Sequence, residues 1–342
     1  MKKVITFGEI MLRLAPPGYL RFVQTPVLEA TYGGGEANVA VSLANFGMNA
    51  EFVTKLPQNE LGQSAINSLR SYGVDTSHIA RGGDRIGIYF LEKGASMRPS
   101  KVIYDRANSS IAAAAPADFD WNAILDGANW FHFTGITPAL GSGVVEILTE
   151  ALKACRERKI TVSCDINYRR NLWSREQARA VMTELMPYVD VCISNEEDAK
   201  DVFGIEANDS DVTSGTLSHD SYREVARRLA EQFGFSKVAI TLRSSHSAND
   251  NDWAGLLYDS ASGDCLVSPT YPIHIVDRVG GGDSFGAGLI YSCLKGFDNQ
   301  MVINFAVAAS SLKHTIEGDF NLVTVDEVMK LVDGDGSGRV MR

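Results

Sequence analysis

Disulfides are not part of this chain's design. The five cysteines (Cys155, Cys164, Cys192, Cys265 and Cys293) are odd in number, widely scattered and never in a CxxC spacing, which excludes both a disulfide framework and a structural zinc site. Four of them lie in apolar runs and read as small buried hydrophobes. No window approaches the roughly 18 apolar residues of a membrane span. The opening "MKKVITFGEI" meets Gly8 and Glu9 too early for a secretory apolar region. Together these absences predict a cytoplasmic protein with no membrane partner. Positive charge is also scarce: 32 Lys and Arg against 42 Asp and Glu leave a net charge of -10, which argues against a nucleic-acid partner. A small anionic substrate stays compatible, because a local arginine cluster can oppose the global sign.

Several catalytic patterns are missing too. No lysine is followed by Ser or Thr, so there is no P-loop, and no GxSxG offers a hydrolase nucleophile. The six histidines form neither HxH nor HxxxH, which disfavours a histidine metal centre or triad. Gly280, Gly282 and Gly286 give G-x-G-x-x-x-G, one residue too long for the dinucleotide fingerprint, so a nicotinamide oxidoreductase has no support.

What remains is an enzyme-sized chain of 342 residues, 45% hydrophobic and 22% charged, in the range of an ordinary globular protein. Apolar runs such as "KVITFGEI", "AEFVTKL", "NWFHFTG", "KITVSCDIN", "VDVCISN" and "KVAITL" read as strands. They alternate with amphipathic stretches such as "EANVAVSLANFG", "GVVEILTEALKACRERK", "REQARAVMTELM" and "YREVARRLAEQFG". That alternation predicts βαβ units and a mainly parallel sheet, hence an α/β fold. Two stretches, about 12–32 and 85–111, break the rhythm with hairpin-like strands and predict a small inserted β-sheet able to act as a lid. "ANDSDVTSGTLSHD" (207–220) and "SSHSANDND" (244–252) read as polar loops. The end, 333–342, mimics the start of a calcium loop, but a twelfth-position Glu would fall at position 344. It is predicted to be a flexible tail.

The chemistry concentrates in "VDRVGGGDSFGAGL" (276–289). Strand, glycine turn and helix start bring backbone N–H groups and the positive end of a helix dipole to one point, which suits an anion. Asp283 can be a plain helix cap. Beside an anion hole, however, a carboxylate is awkward unless it has a task, such as taking the proton of a hydroxyl that attacks the anion. In "GGGEANVA" (33–40) the glycine amides and Asn38 can bond a polyol, or can simply start a closely packed helix. In "DINYRR", Asp165, Asn167 and Arg169 alternate onto one face at the carboxyl end of a buried strand, where open α/β sheets bind ligands; solvated loop charges are the alternative. In "SNEED", Asn195, Glu197 and Asp198 can hold hydrated Mg²⁺ or merely decorate a helix start. Tyr89, Tyr104 and Arg106 lie on the lid-like strands, as packing residues or as closing groups. Arg106 and Arg169 together suit a carboxylate.

In this order the pieces resemble the ribokinase-like (PfkB) carbohydrate kinases across nearly the whole chain, from "FGEIMLRL" at Phe7 to "EGD" at Glu317. "GGGEANVAVSLANFG" resembles the family's N-terminal motif and "DRVGGGDSFGAGL" its C-terminal one. Within the family the sequence is most similar to the 2-keto-3-deoxygluconate kinases, through "GEIMLRL", "GIYFLEKG", "VIYDRANS" and "DINYRRNLWS". The resemblance implies a single three-layer αβα kinase domain over 1–342, and ATP-dependent transfer, with Mg²⁺, to a primary hydroxyl. Asp283 would be the base and the amides of Gly280, Gly281 and Gly282 the anion hole, the glycines at 280 and 282 also touching nucleotide. Gly34, Asn38, Tyr89, Tyr104, Arg106 and Arg169 would hold the sugar acid. Asn195, Thr241 and Asn304 would line the nucleotide channel. Asp277 would face the site of a monovalent cation such as K⁺, and Asp198 would reach Mg²⁺ through water. A homo-oligomer joined through the lid is expected, since lid strands leave unpaired edges. Alternatives are a kinase of 2-keto-3-deoxygalactonate, fructose or ribose, and a non-catalytic sugar-acid-binding regulator.

Three departures from the family pattern stand out. Asn195-x-x-Asp198 replaces the usual Asn-x-x-Glu, "LRSSHSANDN" replaces a Gly-rich turn after Thr241, and "GGGD" replaces "GAGD", which on sequence only removes a methyl.

Overall fold

The computed structural model describes residues 2–195, 197–206, 219–336 and 338. In chain order the strands are β1 (Lys3–Phe7), β2 (Met11–Ala15), β3 (Glu29–Gly33), β4 (Asn49–Val53), β5 (Lys55–Leu56), β6 (Ala80–Arg81), β7 (Gly87–Glu92) and β8 (Lys101–Asp105). They continue with β9 (Ala128–Thr134), β10 (Thr161–Asp165), β11 (Val191–Ser194), β12 (Lys237–Ser245), β13 (Asp250–Asp259), β14 (Cys265–Val267) and β15 (Tyr271–His274). The helices are α1 (Gly35–Asn45), α2 (Glu60–Ser71), α3 (Trp121–Ile124), α4 (Ser142–Arg158), α5 (Arg175–Leu185), α6 (His219–Phe233), α7 (Gly281–Lys295), α8 (Asn299–Lys313) and α9 (Val325–Val332).

The main sheet runs β14-β13-β12-β11-β10-β9-β1-β4, with β15 added beside β13. Pairing is parallel from β4 across to β12 and antiparallel beyond it. The strands from β1 to β12 are apolar on both sides because helices cover both faces. One apolar cluster lies with α1, α2, α7 and α8, through residues such as Leu43, Leu69, Phe285 and Phe305. The opposite cluster lies with α4, α5 and α6, through Leu148, Met182 and Leu229. On α4 the buried positions Val144, Ile147, Leu148, Ala151, Leu152 and Cys155 recur at three- and four-residue intervals, the stripe that seats a helix on a sheet. Helix α7 is buried nearly all round, and at Gly288 a β-carbon would stand only 2.8 Å from the Ala306 Cα of α8. The glycine lets the two helices touch.

The two stretches that break the βα rhythm form a separate four-stranded sheet of order β3-β2-β7-β8. Pairs β2–β3 and β7–β8 are antiparallel, and β2–β7 is parallel. Every residue of the edge strand β8 is exposed.

One expectation needs correcting. The polar stretch 244–252 is largely the tip of the β12–β13 hairpin, with Ser244 facing Asp252 and Ser245 facing Asn251. Its residues are exposed or half-buried except Asn251, which is buried where β13 pairs with β15. The stretch 207–218 lies outside the described residues, as do positions 337 and 339–342 of the tail. Among the described residues no helix is long and apolar enough to cross a membrane.

Candidate active site

A cavity of about 450 Å³ opens where β9, β10, β11 and β12 end and the small sheet overhangs the main one. This is the carboxyl-end crevice at which open α/β sheets bind ligands. Of the residues expected at the site, Gly34, Asn38, Tyr89, Tyr104, Arg106, Arg169, Asn195, Thr241, Gly280, Gly281, Gly282 and Asp283 all line it.

The centre is built by the two glycine motifs. Gly280 caps α7 at φ 82°, a left-handed conformation that glycine adopts without strain, and a β-carbon there would fall 2.0 Å from the Asp319 carbonyl oxygen. As the first residues of a helix, Gly280, Gly282 and Asp283 have amides with no intrahelical acceptor, while the Gly281 amide donates to the Arg278 carbonyl at 3.4 Å. A β-carbon on Gly282 would meet nothing within 4 Å, so this residue opens onto the cavity. Gly281 is different: its β-carbon would run into the His314 ring at 2.4 Å. "GGGD" in place of "GAGD" therefore does more than remove a methyl, because His314 occupies that methyl's space.

Asp283 stands in the first turn of α7 and accepts a 2.7 Å hydrogen bond at Oδ2 from Asn38 Nδ2. Asn38 is itself oriented by the Gly34 amide, which donates to its Oδ1 at 3.2 Å. Burial pushes the Asp283 carboxyl up to about 6; the Asn38 bond pulls it down, and Glu36 and Asp319 add to the rise. Its other oxygen, Oδ1, would lie 3.6 Å from a β-carbon on Gly35, so that glycine keeps the approach to it open.

At the lid end, Arg106 is buried and gives Nε and Nη2 to Oε2 of buried Glu9, whose Oε1 accepts from Ser109 at 2.5 Å. Part of the Arg106 charge is thus already matched inside the protein. The Tyr89 hydroxyl donates to Asp319 Oδ2 at 2.5 Å. Tyr104 faces Tyr89 across the β7–β8 pair with ring centroids 6.1 Å apart and is 41% exposed. Arg169 is exposed beside a carboxylate group: Asp165 is pushed up by burial and by the neighbouring charges of Asp198 and Asp283, with Arg169 pulling it down.

Three expected residues do not line the cavity. Asn304 sits on α8 and accepts from Gln300 Nε2, which also donates to the Val267 carbonyl, so this part of the helix packs on β14. Asp198 is buried next to the site; its Oδ1 accepts from the Tyr168 amide at 3.2 Å, while its Oδ2 has no hydrogen-bond partner among the described residues. Burial pushes this carboxyl up to about 6 against the pull of Arg169. Asp277 is buried too, and its carboxylate is taken by Arg13 Nη2 at 2.5 Å and by the Gly318 and Val279 amides.

Other wall residues escaped sequence reasoning. Arg243 and Arg278 line the end nearest Thr241, and burial, with the charge of Arg243 beside it, lowers Arg278 from its ordinary value. His314 packs between Gly281 and Trp253, and burial lowers it to about 4, so it is neutral at physiological pH. Asp319 receives Arg13 at 2.7 Å and lies against both Gly33 and Gly280. A signal was available for Arg13 and Arg278, a lone arginine inside "MLRL" and another inside "DRVGGG". None marks Asp319.

The sequence matches the pfkB family carbohydrate kinases over residues 1–323. This chain belongs to that family. It is a ribokinase-like α/β protein and a phosphotransferase acting on a sugar hydroxyl. A crystal structure of 2-dehydro-3-deoxygluconokinase from Thermotoga maritima superposes with a TM-score of 0.93 at 53% identity, covering 97% of this chain and 98% of that one. The 2-dehydro-3-deoxygalactonokinase of Haloferax volcanii is 32% identical over 98% of both chains. The 2-dehydro-3-deoxygluconokinase of Thermoproteus tenax is 26% identical over 93% of this chain and 90% of its own.

Proposed function

We propose that this kinase transfers the γ-phosphoryl group of ATP to the primary hydroxyl of 2-keto-3-deoxygluconate. The observation that carries the chemistry is Asp283, a carboxylate held by Asn38 at the mouth of a helix whose amides face the same cavity. With its carboxyl at about 6, Asp283 is ionised at neutral pH yet basic enough to accept a proton. Oδ2 is fixed by Asn38, so Oδ1 takes the proton of the attacking hydroxyl. The hydroxyl oxygen then bonds to the γ-phosphorus, the bond to the β-phosphate oxygen breaks, and ADP leaves with that electron pair. The amides of Gly280 and Gly282 meet the charge on the transferring group.

The acceptor is read from the lid end, where Arg106 and Arg169 suit a carboxylate and the Tyr104 hydroxyl is free for the ligand, while Tyr89 spends its proton on Asp319. The names of the Thermotoga and Thermoproteus relatives point the same way. Nucleotide phosphates lie toward Asn195, Thr241, Arg243 and Arg278, while Asn304 stays outside the cavity wall. Mg²⁺, when bound, neutralises phosphate charge. Oδ2 of Asp198, without a hydrogen-bond partner among the described residues, and the carboxyl of Asp165, both pushed toward the neutral form by burial, would hold it, in keeping with an ion that needs only one or two carboxylates besides phosphate and water.

A coupled ADP-release assay with Mg-ATP tests this reading against a panel of 2-keto-3-deoxygluconate, its galactonate epimer, fructose and ribose. Turnover confined to the keto-deoxy acids supports it, and turnover with fructose or ribose sinks the carboxylate argument. The galactonate epimer is the second reading, favoured by the name of the Haloferax relative. A sugar-acid-binding regulator would bind and show no ADP release.

The assembly belongs to the same proposal. A second copy covers the small sheet, where Ile103 on the open edge strand β8 is 56% exposed and Val23 and Met97, on the connections between its strands, are 90% and 94% exposed. Sedimentation equilibrium should give a dimer, and Ile103→Lys a monomer. A monomeric parent protein would refute it.

A further inference from the structure

The expected cation site at Asp277 does not fit a dissolved ion, and the misfit has a physical cause. Lys313, the last residue of α8, is fully buried. Its Nζ donates to the Gly318 carbonyl at 2.6 Å, the Asp277 carbonyl at 3.2 Å and the Ile316 carbonyl at 3.5 Å. Among the described residues it forms no ion pair: the nearby carboxylates of Asp277 and Asp319 are both taken by Arg13. An ammonium has three N–H donors and here meets three carbonyls, the ligand chemistry that otherwise strips a monovalent cation of its water.

The usual use of a lysine at a helix end, capping the carbonyls of its own last turn, does not describe this contact. Asp277 is 36 residues away, on the segment that leads into the glycine cradle, and Gly318 is on the loop whose Asp319 packs against Gly280. Lys313 Cε itself would lie 3.3 Å from a β-carbon on Gly280. Burial opposes the charge of Lys313, and Asp277 and Asp319 favour it.

We propose that Lys313 is a tethered monovalent cation. Its ammonium ties the 277–280 segment to the 314–319 loop, so that the cradle amides are held for phosphoryl transfer without dissolved K⁺ or Na⁺. Lys313 is a positioning residue, since Gly280 stands between it and the cavity. The inference rests on the kinase chemistry of this cavity and not on which sugar is the acceptor.

The experiment compares the parent protein, Lys313→Ala and Lys313→Met in KCl, NH₄Cl, NaCl and choline chloride at equal ionic strength. Melting temperature is one readout and, separately, ADP release with whichever panel sugar turns over is the other. The parent protein should melt at the same temperature and turn over within about twofold in all four salts. Lys313→Ala opens a carbonyl-lined hole. It should lose about 100-fold in kcat, the scale of a small displacement of catalytic groups. Its KM for the sugar should stay near the parent value. K⁺ or NH₄⁺, but not choline, should raise both its melting temperature and its kcat with saturable dependence. Lys313→Met fills the stem space without the charge and should be slow and unrescued. A severalfold activation or a specific stabilisation of the parent by K⁺ would overturn the proposal even if the variants failed to fold, as would a Lys313→Met enzyme with parental kcat. Because melting needs no acceptor, an error about the sugar leaves this test intact.

Discussion

Asn38 Nδ2 donates to Asp283 Oδ2 at 2.7 Å and so joins two glycine motifs that stand 245 residues apart. The carboxylate proposed as the base is thereby oriented by the other glycine motif. Asp283→Asn removes the proton acceptor while keeping the shape, and should lower kcat by 10²- to 10⁴-fold, about the worth of general-base catalysis, with sugar affinity retained. Turnover equal to the parent would place the base elsewhere.

The same contact sets a pH dependence. Asp283 works when deprotonated, so kcat/KM should fall as pH drops through about 6. Asn38 stabilises the ionised form, so Asn38→Ala should move this acid limb to higher pH. An unmoved limb in a folded Asn38→Ala protein would show that another group titrates.

Stability should carry the opposite sign. A carboxyl whose folded value is raised from 3.8 to about 6 favours the folded state only below its unfolded value, and that advantage is lost as pH rises through about 6. One side of Asp283 faces the open cavity, which leaves a cost at neutral pH on the order of 2 kcal/mol. Thermal melts should show Asp283→Asn more stable than the parent at pH 7 and no more stable near pH 4.

The neighbouring glycines separate folding from function. Gly281→Ala drives a methyl into His314 and should destabilise by about 1–3 kcal/mol, as overpacking does. Gly282→Ala meets no protein atom within 4 Å and should melt like the parent, yet place its methyl where the phosphoryl group passes and slow turnover. Equal melting temperatures for the two variants would contradict this geometry.

For the acceptor, Arg169→Ala should raise KM for a keto-deoxy acid at least tenfold more than for a neutral ketose, because only the acid loses a charged partner. Arg106 is the less clean probe. Removing it strands buried Glu9, so Arg106→Ala should also lower the melting temperature.

Periodicity made the scaffold legible. The apolar spacing along α4, the two-sided apolar strands and the two stretches that interrupt them led directly to the layers and the small sheet. The glycine motifs were legible because their composition is costly unless a backbone must come close to something. What stayed hidden lies in contacts without local pattern. Asp319 meets Arg13 across 306 residues, and Lys313 reaches carbonyls on two separate segments. The 244–252 stretch misled for a related reason: a largely solvated hairpin tip carries the composition of a loop. Asn304 lies outside the cavity wall, where its side chain accepts from Gln300 one helical turn away.

Arg13 lies on β2 of the small sheet and grips Asp277 and Asp319 of the main domain, while Tyr89 on β7 grips Asp319 as well. Lifting that sheet bodily would strip a buried guanidinium of both partners, so its inner strands act as a fixed root. The edge strand β8, which carries Tyr104, lies outside that root beyond β7. The cover of this cavity is pinned to the main domain by an ion pair.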